Sequence, residues 1–473
     1  MKKQRASILV GLLWCLALLS VVVIGALHTA NLDLMAVKNH GDSIQAHYLA
    51  LAGIEKAKAL LYQDAKQRTR SGKNHSGELY DAPDRFRDVK FGRGQFSILR
   101  QAAREEGGKL IYGISDEESR LNVNTATAED LLKLYGMTPE IAAAIMDWRD
   151  TDDNVSPNGA EVGYYASLQP PVMPRNGPLQ TARELLMVRG VTRDLFMGED
   201  TNQNGLLDRN EDDGKESPPL DNHDGVLDAG WSGALTVDSL TANVNAAGED
   251  RVNIQSAAES DLAGVSGIAG VPGLAKAIVE WRGQSELKTL ADLLDVQALA
   301  PASQAPQNQP VNPQPGQPVA QPGSPNPSGA PQGQPNRQPV GDKLINEDLL
   351  MTIADDLTAA SDEPQAGLVN VNTATLEVLK CLPGITEELA QAIVNYRQSS
   401  GFLPNVAWLL KVPGMSREIF KQAAPRMCVR SETFRILSEG TVPSTGARKR
   451  IQAIVRVSIG SSEAVTLSWR EDL

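Results

Sequence analysis

The residues best equipped for chemistry in this chain are oxygen donors, concentrated in its middle. Asp200-Thr-Asn-Gln-Asn-Gly-Leu-Leu-Asp-Arg-Asn-Glu211 follows the spacing of a calcium loop. Such a loop takes oxygen ligands at positions 1, 3, 5, 9 and 12, a glycine at 6 for the sharp bend and a backbone carbonyl at 7. Asp200, Asn202, Asn204, Asp208 and Glu211 supply the side chains, Gly205 the bend and Leu206 the carbonyl. The competing reading is a solvated acidic loop. Asn222-His-Asp-Gly-Val-Leu-Asp228 repeats the middle of the pattern, but Leu220 and Trp231 occupy its end positions, which argues against a separate complete site. A further constellation, Asp147-Trp-Arg-Asp-Thr-Asp-Asp153 with Asn158-Gly-Ala-Glu161, offers a second candidate cation set in Asp150, Asp152, Asp153 and Glu161. These carboxylates either hold a cation or cap a loop against Arg149. The 5 histidines are scattered, and no phosphate-cradling glycine loop or nucleophile motif is present, so no catalytic residue is assigned and an enzyme is not expected.

These donors lie among helical repeats. Asn122-Val-Asn-Thr-Ala-Thr127 returns as Asn370-Val-Asn-Thr-Ala-Thr375, with a weaker relative beginning at Val252-Asn-Ile-Gln, assigned by pattern to Val252–Asp295. Four turns share one plan, starting at Gly136, Gly190, Gly384 and Gly414. Each glycine can take positive φ to end one helix. Thr138, Thr192, Thr386 or Ser416 then caps the next, with Glu140, Asp194, Glu388 or Glu418 at its positive end.

Two outer regions frame the repeats. The apolar run Ile8 to Leu27 follows Lys2, Lys3 and Arg5 and is long enough to cross a bilayer core of about 30 Å, with the basic end cytoplasmic. A cleaved signal peptide is the competing reading. Ile44, Tyr48, Leu51, Ile54 and Leu61 continue a helical period, and the first proline is Pro83, so one helix to about Lys66 is expected. An anchor followed by an unrelated juxtamembrane helix is the alternative. Val89 to Phe91, Gln95 to Leu99 and Leu110 to Ile114 read as strands, as do Thr433 to Leu437, Ile451 to Ile459 and Ala464 to Trp469. The fold class is therefore α+β: a long N-terminal helix packed on an antiparallel sheet, interrupted by a large helical insertion.

Composition narrows the function classes. A net charge of -13 disfavours nucleic acid and favours cations as partners. Pro301 to Gly341, rich in Pro, Gln and Asn, cannot bury a core and reads as a disordered linker. Of the 3 cysteines, Cys381 and Cys428 lie outside the apolar run and are open to pairing or not.

The four glycine turns, with Leu382-Pro-Gly-Ile-Thr386 and the helix after it, resemble the helix-hairpin-helix family. Its DNA-binding members usually have a second glycine where this chain has Thr or Ser, and the acidic residues oppose a phosphate there. Over most of its length the chain resembles the minor pseudopilin K family of type II secretion systems. The resemblance rests on the basic start and apolar helix, Gln45-Ala-His-Tyr-Leu-Ala-Leu-Ala-Gly-Ile-Glu55, Asn122-Val-Asn-Thr-Ala126, Asp147-Trp-Arg-Asp-Thr-Asp152 with Gly159-Ala-Glu161, and Asn176-Gly-Pro178 leading into Glu184-Leu185.

The resemblance implies a pilin-like fold and a subunit at the tip of a short pseudopilus, taking part in protein export across the outer membrane. The implied location is a single pass through the inner membrane, with the bulk of the chain periplasmic. The implied partners are other minor pseudopilins, the major pseudopilin, the inner-membrane assembly platform and a prepilin peptidase that cleaves and N-methylates. The calcium expected at the Asp200 loop agrees with the family's capacity to bind it. Cleavage would fall between Ala6 and Ser7, where the peptidase generally expects Gly before the cut. Gly11 then takes the place of the glutamate most pilins carry near the fifth mature residue. On this plan 1–6 is the leader, 7–66 the membrane and amphipathic helix, and 67–120 the first strands. The insertion covers 121–300 and 342–430 around the linker 301–341, and 431–473 supplies the last strands. The alternative function is a membrane-anchored helix-hairpin-helix receptor for DNA uptake.

Overall fold

The computed structural model describes residues 4–74, 77–299, 339–360, 364–458 and 464–471. The linker expected over 301–341 lies outside the described residues up to 338. Its last residues open a strand, Pro339–Lys343, that pairs antiparallel with Gln297–Leu299 and brings the two ends of the linker together.

Helix α1 runs unbroken over Gln4–Ser71, or about 100 Å at 1.5 Å per residue. Its first half is apolar and exposed, from Ile8 at 70% to Leu27 at 60%, and is long and apolar enough to cross a membrane. The second half lies on a sheet. Its buried face is Ala46, Leu49, Ala50, Ile54, Ala57 and Leu61, whereas Ile44 and Tyr48, expected to face inward, are 46% and 63% exposed. Close approach explains the rotation, because small residues let the helix axis come nearer to the strands than large apolar ones would. At Gly53 a Cβ would collide with the Ser438 hydroxyl, and at Gly440 one would collide with the Ala46 carbonyl.

The sheet is antiparallel and contains β1 (Val89–Phe91), β2 (Gly94–Gln101), β3 (Leu110–Ile111), β4 (Ser115–Asp116), β5 (Thr433–Val442), β6 (Ala447–Arg456) and β7 (Val465–Glu471). The order is β1-β2-β5-β6-β7, with β3 on β2 and β4 on β5. Strands from both ends of the sequence thus lie side by side, with Leu99 opposite Leu437. Alternation puts Ile98, Ile436, Ile451, Ala453 and Val455 against α1 in one core.

Between β4 and β5 the chain forms the helical insertion around a second, larger core. Three repeats build it. The two-residue strands Leu121–Asn122, Val252–Asn253 and Val369–Asn370 each pair in parallel with a partner, at Leu235–Thr236, Leu357–Thr358 and Met427–Cys428 respectively. In each repeat the first Asn accepts through Oδ1 from the backbone NH two residues on, at 2.9, 2.8 and 3.0 Å. The last residues of α2 (Pro139–Arg149), α3 (Leu274–Arg282) and α4 (Glu387–Ser400) include an arginine that reaches back to the strand. Arg149 donates to the Val123 carbonyl, Arg282 to Ile254 at 3.2 Å and Arg397 to Val371 at 2.8 Å. The weaker repeat assigned from Val252 thus shares the strand pairing, the Asn turn and the returning arginine of the other two, but Ala258 and Gly273 stand where they have capping threonines.

Gly53→Val should place a branched side chain in the helix–sheet contact and cost about 1–3 kcal/mol through overpacking. Urea unfolding of the full chain in detergent measures it; an unchanged midpoint would mean that α1 and β5 are not in contact there.

Candidate functional site

All four glycine turns have the expected geometry: φ is 69° at Gly136, 85° at Gly190, 71° at Gly384 and 89° at Gly414. Thr138, Thr192, Thr386 and Ser416 cap the following helices by accepting from Ile141, Leu195, Leu389 and Ile419. Glu140 is held below the ordinary carboxylate range by a hydrogen bond from its own backbone NH and then by Thr138; Glu388 is held there in the same way with Thr386. The helix ends that a phosphate would approach already carry negative charge.

The Asp200 loop is folded as a tight knot of side-chain oxygens. Asp200 accepts from the backbone NH groups of Asn204 and Gly205, each at 3.0 Å, while Asn202 accepts from Asn204 at 2.8 Å and Asn204 from Leu206 at 2.7 Å. Gly205 takes φ 71° at the bend. Asp208 Oδ2 accepts from the amides of Asn202 and Asn204. Glu211 accepts from the Asp208 NH through Oε2, and its buried Oε1 has no partner. Burial first, then Asp200 and Asp208, push its carboxyl up to about 7. An ionised group so placed calls for a positive charge, and these residues fit a calcium ion in donor type and order.

The loop rests on the sheet. Leu206 is 4% exposed and packs with Leu99 of β2 and Leu437 of β5. Leu207 NH donates to Gln101, and Arg470 of β7 donates to the Gln203 carbonyl at 3.1 Å. Nothing in the local pattern signals this contact, since the partners are distant in sequence.

The second stretch obtains its ends from elsewhere in the chain. Asp212 Oδ1 accepts from Gly225 NH at 3.0 Å, as Asp200 does from Gly205. Glu199 Oε2 accepts from Asp228 NH at 3.1 Å, as Glu211 does from Asp208. Trp231 is instead a core residue, 1% exposed, donating to the Tyr135 carbonyl. Asp212, Asp221 and His223 also bring their ligand atoms close together.

At the third constellation the structure gathers Asp147, Asp150 and Glu161. Of the four carboxylates expected there, Asp152 is exposed and accepts from Asn154 NH, and Asp153 accepts from the Asn176 amide. Asp147 takes their place because it is on α2, whose last turn points it at the Gly159-Ala-Glu161 segment; at Gly159 a Cβ would collide with it. Glu161 is 1% exposed, with neither carboxylate oxygen partnered. Burial, then Asp147, Asp150 and Asp153, push it up to about 7. Arg149 does not cap this loop; it is committed to the Val123 and Ala126 carbonyls.

The sequence reading missed the seam where the insertion leaves and rejoins the sheet. Asp116 Oδ2 accepts from Asn370, Ser431 and Thr373. Glu117 is paired with Arg120 and bound by both ends of the Arg435 guanidinium, at 3.0 and 2.8 Å. Burial opposes its ionisation, but Arg435 and then Arg120 outweigh it and hold the carboxyl down at about 2. Glu118 accepts from the NH of Thr433. The run Asp116-Glu-Glu118 beside a strand was the available signal. Cys381 and Cys428 are both free and buried; the Cys381 thiol donates to the Glu377 carbonyl, and burial raises it to about 12.

A long apolar helix laid on an antiparallel sheet, with a helical insertion between its strands, defines a pilin-like α+β protein. The family described as "Type II secretion system (T2SS), protein K" matches residues 111–197, and "Helix-hairpin-helix motif" matches residues 364–428. The type II secretion system protein K of Pectobacterium carotovorum is 29% identical over 203 residues, covering 41% of this chain and 60% of that relative. Its counterpart in Klebsiella pneumoniae is 26% identical over 198 residues, with the same coverage. ComE operon protein 1 of Bacillus subtilis is 34% identical over 70 residues, 15% of this chain and 34% of the relative. A solved chain of the GspK-GspI-GspJ complex from enterotoxigenic Escherichia coli aligns over 92% of this chain and 99% of its own, with 11% identity and a TM-score of 0.41. The likeness to the type II secretion system protein K family is carried by residues 111–197, and the chain's alignment spans 60% of the length of the two secretion relatives.

The raised carboxyls predict a pH dependence for the metal-free protein. Glu161 and Glu211 bind protons more tightly folded (about 7) than unfolded (4.5), so they cost stability progressively as pH rises from 4.5 to 7 and fully above that. Thermal unfolding in chelator from pH 4.5 to 8 should show that decline, and Glu161→Gln should flatten part of it and stabilise the protein above pH 7. An unchanged profile in the variant would mean that Glu161 ionises freely.

Proposed function

We propose that the chain is a minor pseudopilin at the tip of a type II secretion pseudopilus, taking part in protein export across the outer membrane. The single observation carrying this reading is helix α1, continuous from an exposed apolar half into a half sealed against a sheet. A membrane anchor alone has no need of such continuity, whereas a filament subunit uses one rigid helix both to wait in the bilayer and to bundle with its neighbours. In this reading the basic start faces the cytoplasm, the remainder is periplasmic in an inner-membrane protein, and a prepilin peptidase cuts between Ala6 and Ser7 and methylates the new terminus. Absence of an acidic side chain at Gly11 suits a subunit with none above it whose amine must be neutralised. Other minor pseudopilins, the major pseudopilin and the assembly platform are the proposed partners, and the protein works by assembly, without catalysis.

Calcium is the proposed ion, held by Asp200, Asn202, Asn204, Asp208 and Glu211 with the Leu206 carbonyl, and a second ion by Asp147, Asp150 and Glu161. The ion would supply the charge that lets these buried carboxylates ionise. Because Leu206 is seated on β2 and β5, ordering the first loop stiffens the attachment of the insertion to the sheet.

Membranes expressing the tagged chain with its neighbouring pseudopilins provide the test. The other minor pseudopilins should co-purify with it, and calcium should raise its melting temperature while Asp200→Ala with Glu211→Ala removes that rise. Retention of DNA in a salt-dependent manner, with no pseudopilin recovered, would replace this reading by a DNA receptor.

A further inference from the structure

Two acidic side chains at the base of the insertion lie in the interior side by side. Asp116 is 3% exposed and Glu118 0%, and their carboxyls, two residues apart, are hydrogen-bond partners of each other. Among the described residues neither forms an ion pair, because the nearby Arg120 and Arg435 are committed to Glu117 between them. Ionising both would set two like charges in contact away from water, and such a pair keeps one proton instead.

The donors around the two carboxyls show which one carries the charge. Asp116 Oδ2 accepts from the Asn370 amide at 2.9 Å, the Ser431 hydroxyl at 2.7 Å and the Thr373 hydroxyl, and its Oδ1 accepts from the Glu118 NH at 2.9 Å. Four donors on one carboxyl favour its ionised form. Glu118 has fewer and longer bonds: its two oxygens share the Thr433 NH at 3.2 and 3.1 Å, and Oε1 takes the Leu240 NH at 3.3 Å. Burial and then Asp116 raise the Glu118 carboxyl well above the usual range.

The remaining groups around the pair leave this assignment in place. Tyr80 and Cys428 are both kept neutral by burial. Burial, then Glu117, also raises Asp238, which precedes Leu240. Arg456 of β6 donates to the Asp238 carbonyl and the Thr433 hydroxyl, and Arg430 donates to Asn74 and Asp355. Arg120, lowered by burial to about 10, stays charged beside Glu117.

We propose that Asp116 and Glu118 share one proton at neutral pH, held on Glu118 and donated to Asp116, so that the seam closes on a carboxyl–carboxylate bond and loosens when alkali removes it. The pair is thus a pH-sensitive latch between insertion and sheet. Asp116 holds the third repeat through Asn370 and Thr373, and Glu118 holds β5 through Thr433, so repulsion between them strains both attachments. Glu118 binds its proton more tightly folded than unfolded (4.5), so stability falls as pH rises above 4.5 toward the folded value. The inference does not depend on the secretion reading.

Thermal unfolding of the full chain in detergent with chelator, from pH 5 to pH 9, tests the latch with Glu118→Gln and Asp116→Asn. Glutamine can donate to Asp116 and accept from Thr433 at every pH, so Glu118→Gln should gain on the wild type by about 4 °C between pH 5 and pH 8. Asparagine turns an amide NH2 toward donors that need an acceptor, so Asp116→Asn should melt below the wild type already at pH 5. Should that variant fail to fold, infrared difference spectra of wild type against Glu118→Gln at pH 7.5 read the proton directly. They should contain the carbonyl stretch of a protonated carboxylic acid. The proposal is overturned if the gap between Glu118→Gln and wild type is the same at every pH, if the difference spectrum contains only a carboxylate, or if Asp116→Asn is the variant that gains with pH.

Discussion

A segment can be inserted into a sheet only if its two ends meet, and here they meet at buried charge. The chain leaves the sheet at Asp116-Glu117-Glu118 and returns at Arg430-Ser431-Glu432-Thr433, and these two strips bond to each other directly. Glu117 NH donates to the Thr433 carbonyl at 3.0 Å, and Thr433 NH donates back to the Glu118 carboxylate. Glu117 is the strongest member, with Arg435 of β5 on one side and Arg120 on the other. Such a pair gains little over an apolar replacement, yet losing one partner strands the other's charge in the interior at a cost of about 3–5 kcal/mol. The seam therefore specifies one arrangement of insertion and sheet, because other arrangements leave these charges unpaired.

The remaining architecture builds outward from that seam. Asn370 of one repeat donates to Asp116, and Thr236, which ends the partner strand of another, donates to Glu117 at 2.7 Å. Two of the three repeats are thus tied to the sheet through adjacent acidic residues, Asp116 and Glu117. A second attachment lies farther along the sheet, where the Asp200 loop seats Leu206 against Leu99 and Leu437. One attachment leaves a hinge, whereas two hold the insertion as one body with α1. The proposed calcium ion would act at the second attachment.

Much of this plan was legible in the chain because it depends on neighbours in sequence. The four caps, the Asn-to-backbone turns of the repeats and the bend at Gly205 are local, so residue type and spacing were sufficient. The inner face of α1 was misread at Ile44 and Tyr48, since hydrophobicity alone ranks them above Ala46 and Ala50, and only contact with β5 shows that small residues are required. The carboxylate group at Glu161 was legible in part: Asp150 does join it, but Asp152 and Asp153 follow α2 and turn outward, whereas Asp147 within the helix turns in. Glu199 and Asp212 stood outside the repeated motif and were invisible to a spacing rule, as was the seam itself, whose partners are some three hundred residues apart.

The most direct measurement is hydrogen exchange of the full chain, comparing wild type with Glu117→Gln. If the seam couples the two cores, protection should fall together in β5 at 433–438 and in the repeat strands at 121–122 and 235–236, with the part of α1 after Asp42 following. Loss of protection confined to residues 115–120, with β5 and the repeat strands unchanged, would contradict the claim that this charge joins insertion and sheet into one body.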